Sequence, residues 1–383
     1  MAQYRGLTWD HPRGRVWLEA ASALWRERGV DVVWEAQPLE GFEGHPIEEL
    51  CARYDLVVLD HPHLGDALAT GSLRAMEEVL GDASPALQEA YVGPSLRSYR
   101  LDGRTWALPI DAATQVSARD PRIVGRAPAT WDDVERLAGE APVALSLAGP
   151  HALLSLFSVA ASLGAPPVDA AGEPWLDEGT ALAALDVLRS VHARSRREYA
   201  GLNPIGLLER VGSDDPLAYV PLVYGYVTYA FPESPAPVAF GDAPRMAPGG
   251  LPGSTIGGTG VAISRRAPLD DAFRAYLSWL VAPATQRRLV PELLGQPAAA
   301  AAWDDAEVDA AAGAFYSATR ATIEAAVVRP RASGFPEAQQ HGSAIVREAL
   351  SGAVDPAHAV ARLTALAVAP HGTPERTHRK DPA

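Results

Sequence analysis

The stretch that most constrains the fold of this chain is residues 101–117, Leu-Asp-Gly-Arg-Thr-Trp-Ala-Leu-Pro-Ile-Asp-Ala-Ala-Thr-Gln-Val-Ser. Asp102-Gly103 favours the positive φ angles of a tight hairpin turn. The apolar run 106–110 is too short for a surface helix, and Pro109 forbids a helix interior. Pro109 also lacks an amide donor, which places it at a strand end or a crossing point. Just beyond it, Asp111 and Gln115 stand among small and apolar residues. We read this stretch as a passage from one lobe to another, with both polar side chains facing the gap.

The residues before it build a sheet. Segments 4–9, 30–34 and 55–60 read as strands. Residues 15–28 place Val16, Trp17, Ala20, Ala23 and Leu24 on one helix face, closed by Gly29, and 46–53 form a second short helix. Such alternation gives a parallel sheet with crossover helices, whose ligands bind beyond the carboxyl ends of the strands. Two loops fall there, Asp10-His-Pro-Arg-Gly14 and Asp60-His-Pro-His-Leu-Gly65. His11, Asp60, His61 and His63 are therefore candidates for a polar ligand cleft, with loop capping as the alternative. The His-Pro pairs restrict the backbone and aim the histidines. Arg13, at a helix start, suits a bidentate bond to a carboxylate or phosphate. These side-chain types also suit zinc, but they form no helix-presented pair and no cysteine joins them, so no metal and no cofactor is expected.

The crossing stretch, Trp106-Ala-Leu-Pro-Ile-Asp-Ala-Ala-Thr-Gln-Val116, resembles the first interlobe crossing of extracellular solute-binding proteins, the sugar-type receptors of ABC importers. Ala129-Thr-Trp-Asp-Asp-Val-Glu135 is similar to a hallmark helix start of that family, and Thr130 is physically a good N-cap. Gly257-Gly-Thr-Gly-Val-Ala-Ile-Ser264 resembles its return crossing, and 272–280 its next helix. Pro283-Ala-Thr-Gln286 and Gly295-Gln-Pro297 match only in part. The resemblance implies a two-lobed α/β fold of the periplasmic-binding-protein type (type II), with an interlobe cleft and hinge crossings. Lobe 1 would comprise 1–109 and 260–310 and lobe 2 would comprise 110–259. Helices 311–367 would lie on the lobes, with a disordered tail at 370–383. It also implies capture of a carbohydrate or a related polar or carboxylated metabolite by closure, with an ABC permease as partner.

Within that frame, Asp111 and Gln115 are expected to bond ligand hydroxyls or, alternatively, interlobe backbone. Tyr224 and Tyr226, flanking Gly225, are chosen from an aromatic cluster to stack on a sugar ring, ordinary core being the alternative. Gly257, Gly258 and Thr259 allow close backbone approach and supply donors or hinge freedom. They precede a strand, so they are no dinucleotide fingerprint. Further expected elements are a strand at 143–146 and helices at 85–91, 152–163, 180–194, 311–327, 335–350 and 355–366.

Composition removes other classes. The formal charge of −14 argues against nucleic acid and anionic membrane as partners. No apolar run is long enough to insert in a membrane, and the single cysteine, Cys51, excludes an intramolecular disulfide. The chain opens on its first strand without a leader, so as written it is expected to be cytoplasmic, or periplasmic if a leader was removed. A monomer is expected. No nucleophile or phosphate-loop motif occurs, and no catalytic residue is assigned. The rival readings are an intracellular enzyme using His11, Asp60, His61 or His63, and a metabolite sensor on the same fold.

Overall fold

The computed structural model describes residues 2–38, 45–81, 90–214, 217–234, 236 and 238–368. The expected tail at 370–383 and most of the expected helix at 85–91 lie outside them. The strands, in chain order, are β1 (Ala2–Trp9), β2 (Val30–Gln37), β3 (Leu56–Leu59), β4 (Leu73–Arg74), β5 (Arg100–Leu101), β6 (Arg104–Thr105), β7 (Leu108–Pro109), β8 (Ala113–Arg119), β9 (Tyr219–Tyr224), β10 (Ala239–Gly241), β11 (Ile256–Gly257) and β12 (Gly260–Ser264).

The first sheet runs β2-β1-β3 in parallel. β12 returns antiparallel to β3 and also pairs with β4 and β7. β3 shows why its sequence is continuously apolar. Leu56 and Val58 pack with Tyr4 and Phe273 on one face, and Val57 and Leu59 with Leu7 and Leu64 on the other. A strand covered on both faces has no need of alternation. Helix Pro12–Arg26 buries Trp17, Leu18, Ala21 and Trp25 on this sheet. It starts where Pro12 costs no hydrogen bond.

In the second sheet β8 is the organising strand, antiparallel to β9, β10 and β11. Helices His151–Ser162, Glu178–His192, Phe335–Ser351 and Pro356–Val368 share a separate core that includes Phe157, Leu185 and Val346. Thr130 and Asp133 form a reciprocal capping box at Trp131–Ala138. The strand expected at 143–146 does not form. Val143 makes only an isolated bridge to Tyr219 of β9, with the Ala144 amide donating to the Tyr219 carbonyl.

The passage between the sheets matches the expected turn and crossing. Asp102 and Gly103 both have positive φ, 52° and 74°, in the β5–β6 hairpin. The chain then crosses at 110–112 and returns at 258–259. Ile110 and Asp111 donate their amides to the Thr259 carbonyl, and the Thr259 amide donates back to Asp111. Gly258 has φ +84°, and a Cβ there would lie 2.3 Å from the Asp111 carbonyl oxygen, so only glycine fits. A third segment, unanticipated from the sequence, pairs with β11 at its start. Ile256 donates to the Val327 carbonyl, and Val327 donates to Ser254. Downstream, Arg331 bonds Asp169 on one side and the carbonyls of Arg97, Ser98 and Arg100 on the other. Among the described residues no helix is long and apolar enough to cross a membrane.

Candidate functional site

The crossings open into a cavity of about 790 Å³, counting its mouth. Its walls come from distant parts of the chain. Trp9, Arg13, Asp60 and His63 stand at the carboxyl ends of β1 and β3 or just beyond, and Asp111, Gly258 and Thr259 on the crossings. His151, Leu154, Tyr224 and Tyr226 belong to the second body, and Arg329 and Gln339 to the third segment and the helix after it. This is the switch-point geometry expected of an open α/β sheet.

Among the described residues four formal charges line the cavity, and they pair off. Arg13 Nε and Nη2 meet the Asp111 carboxylate at 2.6 and 2.5 Å, and Nη1 donates to the Gly225 carbonyl at 2.9 Å. The guanidinium also lies 4.7 Å from the centre of the Tyr226 ring. Both members of the pair are almost wholly buried. Burial raises the Asp111 carboxyl against the pull of Arg13. The pair is nonetheless ionised at neutral pH, because a protonated Asp111 would leave Arg13 a buried cation without a counter-charge. Arg329 Nη2 meets both oxygens of Asp60, at 2.6 and 2.5 Å. Its Nε donates to Ile256 and its Nη1 to Gln339. For Asp60, burial pushes the carboxyl up, and the charge and hydrogen bonds of Arg329 together with neighbouring His61 outweigh it and hold the group well below the usual carboxylate range. Both arginines thus tie the first sheet's loops to the second body.

The four histidines at or beside the cavity, His11, His61, His63 and His151, are neutral at neutral pH. Burial drives His61 and His11 down to about 4 and His151 to about 3, and lowers His63. Among the described residues no three of His, Cys, Asp and Glu converge as metal donors.

Nine of the twelve residues singled out from the sequence line the cavity: Arg13, Asp60, His63, Asp111, Tyr224, Tyr226, Gly257, Gly258 and Thr259. Three do not. His11 caps helix Pro12–Arg26, its Nδ1 accepting the Arg13 amide at 3.1 Å. His61 is fully buried against Tyr99. Its Nδ1 is 3.2 Å from Asp60 Oδ1 without the alignment of a hydrogen bond. Gln115 points into the second body, where Ser158 and Thr255 donate to its oxygen and its amide donates to Ser155. Its place in β8 sets that direction, and the expected cleft-facing role is corrected to a core hydrogen-bond hub.

Sequence reasoning missed Trp9, His151, Arg329 and Gln339. Trp9 ends β1 at the carboxyl edge and was findable by the rule that flagged the loops after β1 and β3. His151 opens a helix after Gly149-Pro150 and carries no local signal. Arg329 sits in a connection between helices, and only the fold brings it to Asp60. Two glycines make room for aromatic rings, one in the cavity wall and one behind it. A Cβ at Gly257 would lie 2.5 Å from the Tyr224 ring and one at Gly225 would lie 2.8 Å from Phe315, so neither ring could stay where it is. The Tyr224 hydroxyl is 3.1 Å from Thr255 Oγ1.

No family model matches the sequence, and no curated protein matches it. Solved structures do. An ABC transporter solute-binding protein from Agrobacterium radiobacter K84, in complex with ribitol, superposes with TM-score 0.79 at 20% identity, covering 96% of this chain and 98% of that one. One from Thermotoga lettingae, bound with α-D-tagatose, gives 0.78 at 14%, covering 96% and 99%. Maltose-bound MalE3 of T. maritima gives 0.77 at 16%, covering 95% and 98%. The chain has the two-lobed fold of the solute-binding proteins that serve ABC importers, with its cavity between the lobes.

Proposed function

We propose that the chain captures a small polyhydroxy solute in the interlobe cavity and serves as the binding component of an ABC importer. The observation that carries this reading is the composition of the walls. Both lobes and both crossings contribute polar groups, and Trp9, Tyr224 and Tyr226 add aromatic faces of the kind that meet the C–H faces of sugars. A solute touching both walls favours the shut arrangement, so binding and closure are one equilibrium. Structural neighbours bound to ribitol, α-D-tagatose, maltose and D-mannitol support the ligand class.

The test is a thermal-shift series with those four compounds. At a ligand concentration one hundred times Kd, stabilisation is about 2.7 kcal/mol, enough to raise the melting temperature by several degrees. Tyr224→Ala should abolish that rise while leaving the unliganded protein folded. If none of the four compounds moves the melting temperature at millimolar concentration, the reading is wrong.

A further inference from the structure

We infer that the cleft selects an uncharged polyhydroxy ligand against its acid and amine counterparts, with His151 and Thr259 as the deciding groups. The inference rests on reading this cavity as a solute site. Its first ground is that the ionic groups are spent. Each of the three nitrogens of Arg13 donates to protein, two to Asp111 and one to Gly225. Arg329 is used in the same way by Asp60, Ile256 and Gln339. Neither guanidinium offers a free fork to a ligand carboxylate. An entering carboxylate would have to break a pair or lie beside Asp60 and Asp111. An ammonium group would be buried near two guanidinium groups, with both aspartates already held. Either case leaves a desolvated charge without a partner.

The second ground is what remains unspent. Thr259 Oγ1 and His151 Nδ1 are buried polar atoms with no hydrogen-bond partner among the described residues, on residues that line the cavity. Thr259 stands on the return crossing and His151 opens a helix of the second body, so a ligand meets them from different elements. A hydroxyl and a neutral imidazole each donate or accept, as the hydroxyl of a polyol does. Burial keeps the imidazole neutral down to about pH 3, which preserves that versatility. An unpartnered buried polar atom costs stability in the free protein, and a bound hydroxyl would relieve that cost.

The experiment is calorimetric titration of the full chain with ribitol, D-mannitol, D-glucitol and α-D-tagatose. Each alditol is then compared with its aldonate and its amino-alditol. The expected result is that at least one neutral compound binds and its charged counterparts bind about a hundredfold more weakly or worse. An aldonate or amino-alditol that binds as tightly as the neutral compound overturns the inference and leaves the solute-binding reading standing. Failure of every compound, neutral and charged, overturns that reading and the inference with it. Two variants then locate the groups. Thr259→Val and His151→Phe should each lower affinity for the neutral compound by about tenfold or more. Their unliganded denaturation midpoints should stay level or rise, because no protein partner is lost. A variant that keeps full affinity, or one that loses stability in step with affinity, contradicts the assignment of that residue.

Discussion

The chain carries the tripeptide Asp-His-Pro twice, at 10–12 and 60–62, and both copies follow strands of the same parallel sheet. Their fates are opposite. The Asp10 side chain is 60% exposed and bonds surface Arg15, whereas Asp60 is 21% exposed and clamps buried Arg329. His11 is partly exposed, and His61 is completely buried. A shift of one residue in the cap accounts for the difference. In the first loop His11 is the N-cap and the helix starts at Pro12. In the second, Asp60 is the N-cap, accepting the His61 amide at 2.9 Å, and the turn starts at His61. The capping role draws Asp60 toward the cleft and turns His61 inward. Identical side chains in equivalent topological positions thus become a surface loop in one place and a cleft wall in the other.

The largest test of this contrast is Asp60→Ala against Asp10→Ala. Removing Asp60 strands Arg329 as an unpaired buried cation and should cost about 3–5 kcal/mol. Removing Asp10 loses only a surface pair and should cost about 0.5 kcal/mol or less. Urea denaturation at neutral pH without ligand measures both, and equal losses would break the comparison.

Next comes pH. The folded-state pKa values of His61 and His11 lie near 4, below the value of about 6.5 for an unfolded chain. Between those values the unfolded state binds more protons, so stability is complete above about pH 6.5 and is lost as pH falls toward 4. For fully buried His61 the loss at pH 4 is on the order of 3 kcal/mol. His11, closer to solvent, contributes less. His61→Leu should therefore flatten the decline in stability between pH 6.5 and 4 more than His11→Leu does, measured by denaturation midpoints along the pH series. The reverse order would contradict the assigned burial.

The smallest effect sharpens the cap assignment. His11→Ala should cost about 1 kcal/mol through loss of the N-cap, and His11→Asn should restore most of it. If both variants cost the same, the Nδ1 bond to Arg13 carries no stability.

Much of the frame was legible in residues whose backbone demands are local. Pro109 fixes φ, and the Asp102-Gly103 turn and Gly258 permit the positive φ the chain needs there; Pro109 and Gly258 mark two of the crossings. The loops after β1 and β3 followed from strand–helix alternation, and with them Arg13, Asp60 and His63. What escaped depends on long-range pairing. Arg329 reaches Asp60 across 269 positions of sequence, and no periodicity records that contact. Gln115 was misdirected for a related reason. Side chains alternate along a strand, and which face of β8 meets the cleft is decided by the partners β9 and β11. His61 was misassigned because a one-residue change of cap is invisible in the letters Asp-His-Pro.

The most direct test of the account is a crystal structure of the chain with a bound alditol from the calorimetric series. The account predicts the ligand between Thr259 and His151, with hydroxyl oxygens within hydrogen-bond distance of both. The Arg13–Asp111 and Asp60–Arg329 pairs should remain intact beside it. A ligand bound outside this cavity, or an arginine released from its aspartate to hold the ligand, would contradict the account.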